Sequence, residues 1–254
     1  MARGEITDRA EVLGEPTGKT LNRQKAGRGV RFRFVQQLYA IIAKELAVEW
    51  RTRETLSAML VFGLLVLVVF NFAFELQGVD ITVLGPGILW VAFSFSGILG
   101  LGRSFAAERD RGSLEGMLLA PVDRGAIFLG KAFANLVFIL VMEAVTLPLF
   151  IILFNVPFEW FPLVGYILLG TVGFAAVGTL LSAIAASTRM REVMLPVLLF
   201  PILVPLLVAA VKITQGALQK LPFSDYQGWF NLLVAYDVIF VVVSFLLFEF
   251  VVDE

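Results

Sequence analysis

The sequence predicts an all-α integral membrane protein, with six transmembrane helices behind an N-terminal amphipathic interfacial helix. Two observations carry the membrane fold. Only 16% of the 254 residues are charged and 59% are hydrophobic, whereas a soluble domain carries about 25% charged residues. The apolar residues also gather into six runs, at roughly 55–76, 84–102, 131–153, 161–186, 193–213 and 232–252. Each has about the 20 residues that a helix needs to cross the hydrocarbon.

A third observation, the placement of Lys and Arg, orients the spans. Eleven of the 20 lie in residues 1–54, five in 103–131 and two at Arg189 and Arg191, which leaves Lys212 and Lys220 for the opposite side. The short loops alone divide seven against two. The expected topology is multi-pass, with both termini cytoplasmic.

Residues 1–30 are polar, rich in Gly, Lys, Arg and Glu, and are expected to form a disordered cytoplasmic tail. They have no apolar h-region of a cleaved signal peptide. The stretch "GEPTGKT" at residues 14–20 imitates a phosphate-binding loop. Such a loop needs four residues between its first Gly and the Gly-Lys pair, and only three separate Gly14 from Gly18. No hydrophobic strand precedes it, so this chain does not bind ATP through that motif.

Residues 31–54 form the expected interfacial helix. Val35, Tyr39, Ile42, Leu46 and Trp50 recur at helical spacing, while Gln37, Lys44, Glu45 and Glu49 fall mostly on other faces. Trp50, Arg51 and Arg53 stand where membrane anchors belong. Residues 55–254 are expected to form one six-helix transmembrane domain without internal repeats.

The spans differ in character. The second opens on Gly85, Pro86 and Gly87. The fourth carries small residues four apart, Gly178, Ser182 and Ala186 among them, which allows close helix packing. The fifth contains Pro196, Pro201 and Pro205, each without an amide donor, and is expected to be kinked or broken. Residues 214–231 read as the one sizeable external loop.

Glu143 sits near the middle of the third span, where an ionisable side chain is costly and must face protein or water. Asn135 and Thr146 project from a similar side. This row is either a gating or coupling element or a set of hydrogen-bonded packing residues. Asp237 and Glu249 read as lying nearer the ends of the sixth span.

The chain has no Cys and no His. Disulfides, thiolate metal sites, imidazole acid–base chemistry and His ligation of haem are therefore excluded within it. No convergent nucleophile, base or metal set is visible. The expectation is a chain with no catalytic, cofactor-binding or metal-binding residues of its own.

The cytoplasmic loop 103–130 contains "ERDRGSLEGMLLAP". Gly112 breaks the chain, Ser113 suits an N-cap, and Glu115 sits in a first helical turn. Leu114, Met117 and Leu118 share one face, and Pro121 ends the helix after about two turns. A helix so short needs a groove or the bilayer surface for its apolar face, and either a soluble partner or interfacial packing would supply one.

This loop, with Lys131 opening the next span, resembles that of permeases of the ABC-2 transporter superfamily. "PGILWVAFSFSGILGLGRSF", "GSLEGMLLAP" and "LFPILVPLLV" together resemble the haem exporter protein B family, the cytochrome c maturation permeases (CcmB). The resemblance covers about 54–252, with Pro86, Gly87, Trp90, Gly112, Ser113, Leu114, Glu115, Pro121, Pro201 and Pro205 as its markers. The N-terminus is longer than the family pattern, and nothing functional is carried onto it.

The resemblance implies a permease paired with a separate cytoplasmic ATP-binding subunit, in two copies each. Other cytochrome c maturation membrane proteins, a periplasmic haem chaperone and membrane lipid are the further partners, and nucleic acid is not one. Either haem is the cargo, or ATP hydrolysis releases a haem-loaded chaperone; the absence of His favours release. On this reading Leu114, Met117 and Leu118 seat the loop in the ATPase, while Arg109, Arg111 and Glu115 set the docking charge. The alternatives are a generic ABC-2 exporter of lipid-linked glycan or drug, and a scaffold that transports nothing.

Overall fold

The computed structural model describes residues 18–75, 80–110, 116, 122–156, 160–186, 188 and 190–252, with side chains from Phe34 onward. Seven long helices account for most of these residues: α1 (Gly18–Thr52), α2 (Glu54–Glu75), α3 (Ile81–Asp110), α4 (Arg124–Phe154), α5 (Trp160–Ala186), α6 (Arg191–Leu218) and α7 (Phe223–Val252). Helices α2 to α7 are each long and apolar enough to cross a membrane. Their number and order are those expected from the hydropathy pattern.

Helix α5 lies at the centre, packed against α3, α4, α6 and α7. In its span 72% of the most apolar window is buried, against 17% for the peripheral α2. Small residues on α5 make this possible. A side chain at Gly170 would collide with the Trp90 ring, and one at Gly178 would collide with Leu101. The main core joins Leu89, Phe93 and Leu101 of α3 to Phe174 and Leu181 of α5, and to Leu199, Leu203 and Leu206 of α6.

Several boundaries differ from the expected ones. Helix α1 begins at Gly18, inside the stretch read as a disordered tail; Lys, Leu, Arg and Gln there are good helix formers. Helices α3 and α4 extend through charged residues to Asp110 and back to Arg124. Most of the expected loop 103–130 is therefore helix. Hydropathy marks the hydrocarbon slab, and a helix continues past it wherever no breaker intervenes. Asp123 caps α4, its Oδ1 accepting from the Gly125 amide at 2.8 Å.

The expected external loop 214–231 is instead a tight turn at residues 219–222 between α6 and α7. The Leu221 amide donates to the Gly216 carbonyl at 3.0 Å and the Lys220 amide to Ala217 at 3.2 Å. Lys220 takes the left-handed conformation with φ 54°, and Pro222 follows. This is a Schellman ending with Lys where Gly is usual, so the sequence lacked its common signal. Helix α6 is continuous through all three prolines. It is not broken.

Helix α1 meets α2 at Arg53, which has φ 52°. Glu49 Oε1 accepts from the Leu56 amide at 2.8 Å and so caps α2 from the preceding helix. The stripe marked by Val35, Tyr39 and Trp50 is exposed, at 59%, 73% and 78%. The face turned to the bundle is the one bearing Ile41, Glu45 and Glu49. The charged side packs on protein and leaves the aromatic side outward.

Candidate functional site

Two groups of polar residues stand out, one inside the membrane bundle and one at its charged end. The first is the row on α4. Asn135, Glu143 and Thr146 are all buried. Asn135 Nδ2 donates to Thr179 Oγ1 of α5 at 2.9 Å, and that hydroxyl lies 2.6 Å from its own Ala175 carbonyl. Glu143 meets Thr171 of α5, whose Oγ1 is 2.8 Å from Oε1 and 2.9 Å from Oε2. Moving eight residues along α4 moves eight residues back along α5. The two contacts thus fix one antiparallel register.

Thr146 does not join them. Its hydroxyl donates back to the Met142 carbonyl at 2.7 Å, and it faces Gly63 of α2 and Ser96 of α3. The row expected as one stripe therefore divides, two members toward α5 and one toward α2 and α3. Beside Glu143 is a crevice lined by Trp90, Phe93, Ser94, Ile139, Thr171 and Phe174, too narrow to hold a water molecule. Trp90 is tethered across the bundle, its Nε1 donating to Thr214 Oγ1 of α6 at 3.0 Å.

Asp237 lies farther from a helix end than the apolar run implies. Because α7 starts at Phe223, Asp237 falls mid-helix and is 5% exposed. Its carboxyl presses against the Cα of Gly173 on α5, a position where a Cβ would collide with it. Neither oxygen has a hydrogen-bond partner among the described residues. Glu249 lies in the last turn of the same helix. The signal for Asp237 was its distance from Pro222, and the polar run "FSDYQGWFN" concealed it by resembling a loop.

The second group surrounds the root of the α3–α4 loop. Of the residues expected to dock a partner, Arg109 has its backbone in α3, with its side chain outside the described residues. Arg111, Leu114, Glu115, Met117 and Leu118 lie outside them altogether. The residues flanking them are described. Lys131 is fully buried, its Nζ 3.3 Å from Glu45 Oε1 of α1, 3.5 Å from the Ser104 carbonyl and 4.5 Å from the centre of the Phe105 ring. At the α2–α3 side, Arg103 pairs with Glu54 at 3.0 Å.

Comparison with known proteins places this arrangement. The family model described as "CcmB protein" matches residues 36–252. Heme exporter protein B of Pseudomonas aeruginosa is 28% identical over 196 residues, covering 77% of this chain and 88% of that protein. Its counterpart in Paracoccus denitrificans is 30% identical over 181 residues, covering 70% and 83%. That of Escherichia coli K12 is 28% identical over 214 residues, covering 78% and 90%. The matched region contains all six spans and residues 36–52 of α1, and this chain belongs to the CcmB family.

Proposed function

We propose that this chain is the permease subunit of an ABC transporter that serves haem delivery in c-type cytochrome maturation. The match of the family model across residues 36–252 carries the reading, and the relatives named heme exporter protein B agree with it. The chain itself is no enzyme. ATP is hydrolysed by a separate cytoplasmic subunit, two permeases pair with two such subunits, and haem is the cargo or leaves on a periplasmic chaperone. The membrane is the bacterial inner membrane, as the family reading implies, and the Lys and Arg distribution supports cytoplasmic termini.

In this mechanism the α3–α4 loop is the coupling element. Leu114, Met117 and Leu118 enter a groove on the ATPase, and Arg109, Arg111 and Glu115 match its charge. Two rigid helices lead out of the loop, since α3 reaches Asp110 and α4 begins at Arg124. Displacement of the loop is thereby delivered to long levers. Asn135 and Glu143 tether α4 to the central α5, so that both helices move together, and Thr146 packs α4 against α2 and α3.

Deletion of the gene, followed by staining of membrane proteins for covalently attached haem, tests the reading. Loss of c-type cytochromes with other haem proteins intact is expected. Normal c-type cytochromes would assign the chain to a different export task.

A further inference from the structure

The root of the coupling loop on α4 is bound to α1, and Lys131 joins that root to the one on α3. On the α4 side, three residues of one α1 face reach it at successive turns. Gln37 Oε1 accepts from the Asp123 amide at 3.3 Å. Ile41 lies where a Cβ on Gly130 would come within 2.7 Å of its Cγ2. Glu45 Oε1 is 3.3 Å from Lys131 Nζ. On the α3 side, the same ammonium reaches the Ser104 carbonyl and the face of Phe105. Phe105 is fully buried in a cluster with Ile41, Phe128, Leu180 and Phe248, separate from the main core.

Lys131 is the one contact group in this set that touches α1 and α3 from α4. Its side chain is 0% exposed and that of Glu45 14%. A buried charge pair holds only if neither partner leaves, because separation strands a charge away from water. The three helix segments are therefore constrained to move as one body. An apolar contact at the same place would allow sliding.

Building on the coupling reading above, we propose that Lys131, through Glu45, is the positioning residue that makes α1 travel with the coupling loop and passes the ATPase stroke to the membrane interface. The aromatic outward side of α1, with Tyr39 and Trp50, then sweeps the interfacial layer as the loop moves. Without the pair, the loop still docks and ATP still turns over, but the displacement is lost between the loop and α1.

The test uses the whole membrane complex with its ATPase. ATP hydrolysis is measured per complex, and covalently attached cytochrome haem is measured in the same cells. Four permeases are compared: wild type, Lys131→Arg, Lys131→Met, and Glu45→Gln combined with Lys131→Met. The double variant removes both buried charges, and Lys44, which also lies 3.4 Å from Glu45 Oε1, has its side chain in reach of water, so the fold is retained. The double variant is expected to keep ATP hydrolysis within twofold and to lose at least tenfold in attached haem, while Lys131→Arg stays within threefold of wild type on both. Normal haem attachment in the double variant, or a fall in haem that merely follows a fall in permease level, overturns the proposal. Failure of the parent reading shows itself separately, as an ATPase that does not co-purify with the wild-type chain.

Discussion

The hydroxyl of Thr171 stands 2.8 Å from Oε1 and 2.9 Å from Oε2 of Glu143, so both oxygens of the one acidic side chain in α4 rest on a single residue of α5. The same hydroxyl is 2.8 Å from the Ile167 carbonyl of its own helix. One threonine thus ties a deeply buried carboxyl to the central helix of the bundle. Its removal should cost more than an isosteric change at the acid.

Thr171→Val leaves Glu143 buried without this partner, and such a loss costs about 1–3 kcal/mol. Glu143→Gln keeps a polar group that can still pair with Thr171, and interhelical hydrogen bonds in membranes average about 0.6 kcal/mol. Unfolding of the purified permease in mixed micelles should therefore rank Thr171→Val as the less stable variant. The reverse order would remove the tether from the account of α4.

Gly170 and Gly178 both admit close neighbours, but the neighbours differ in freedom. The Trp90 ring over Gly170 is pinned by its bond to Thr214, whereas Leu101 at Gly178 ends in methyl groups that can rotate. Overpacking costs about 1–3 kcal/mol, and Gly170→Ala should fall at the upper end and Gly178→Ala at the lower. Thermal denaturation of the two variants in detergent checks this. Equal losses would show that Trp90 moves as readily as Leu101.

Leu118→Asp places a charge on the apolar face of the expected coupling helix. The variant should insert into the membrane at wild-type level and lose co-purification with the ATPase by at least tenfold. An unchanged amount of bound ATPase would end the docking role of Leu118.

Asp237 has no donor to lose among the described residues, so Asp237→Asn should leave the melting temperature of the permease equal or higher. Gly173→Ala should lower it, because the new methyl group occupies the place of the carboxyl. A large loss from Asp237→Asn, measured beside Gly173→Ala, would reveal a partner for the acid.

Much of this architecture was legible. Six apolar runs translate directly into six spans because the hydrocarbon thickness sets a minimum helix length. Glu143 was recognisable because depth alone makes a carboxyl conspicuous. Its partner was not, since Thr171 belongs to another helix and a register between helices leaves no trace in one linear pattern. The ends were misjudged for a related reason. "FSDYQGWFN" is polar enough to look like a loop, yet Tyr226 packs on Gly216 and its hydroxyl lies 3.3 Å from that of Tyr166, which gives those residues a helical home. What the periodicity of α1 did not disclose is that Glu45 and Glu49 each find a specific polar partner inward, Lys131 and the Leu56 amide.

The continuous α6 bears on the stiffness of the bundle. Pro201 and Pro205 supply no amide to the carbonyls of Val197 and Pro201, so two rungs of its ladder are missing over little more than two turns. Every other span resists bending with a fuller set of hydrogen bonds through its middle. The α6 helix is consequently the most compliant rod in the assembly, and it lies against both the central α5 and the α3 that leads to the loop. On the coupling reading proposed above, a push along α3 would meet in α6 the neighbour with the fewest backbone restraints, its packed face made by Leu199, Leu203 and Leu206.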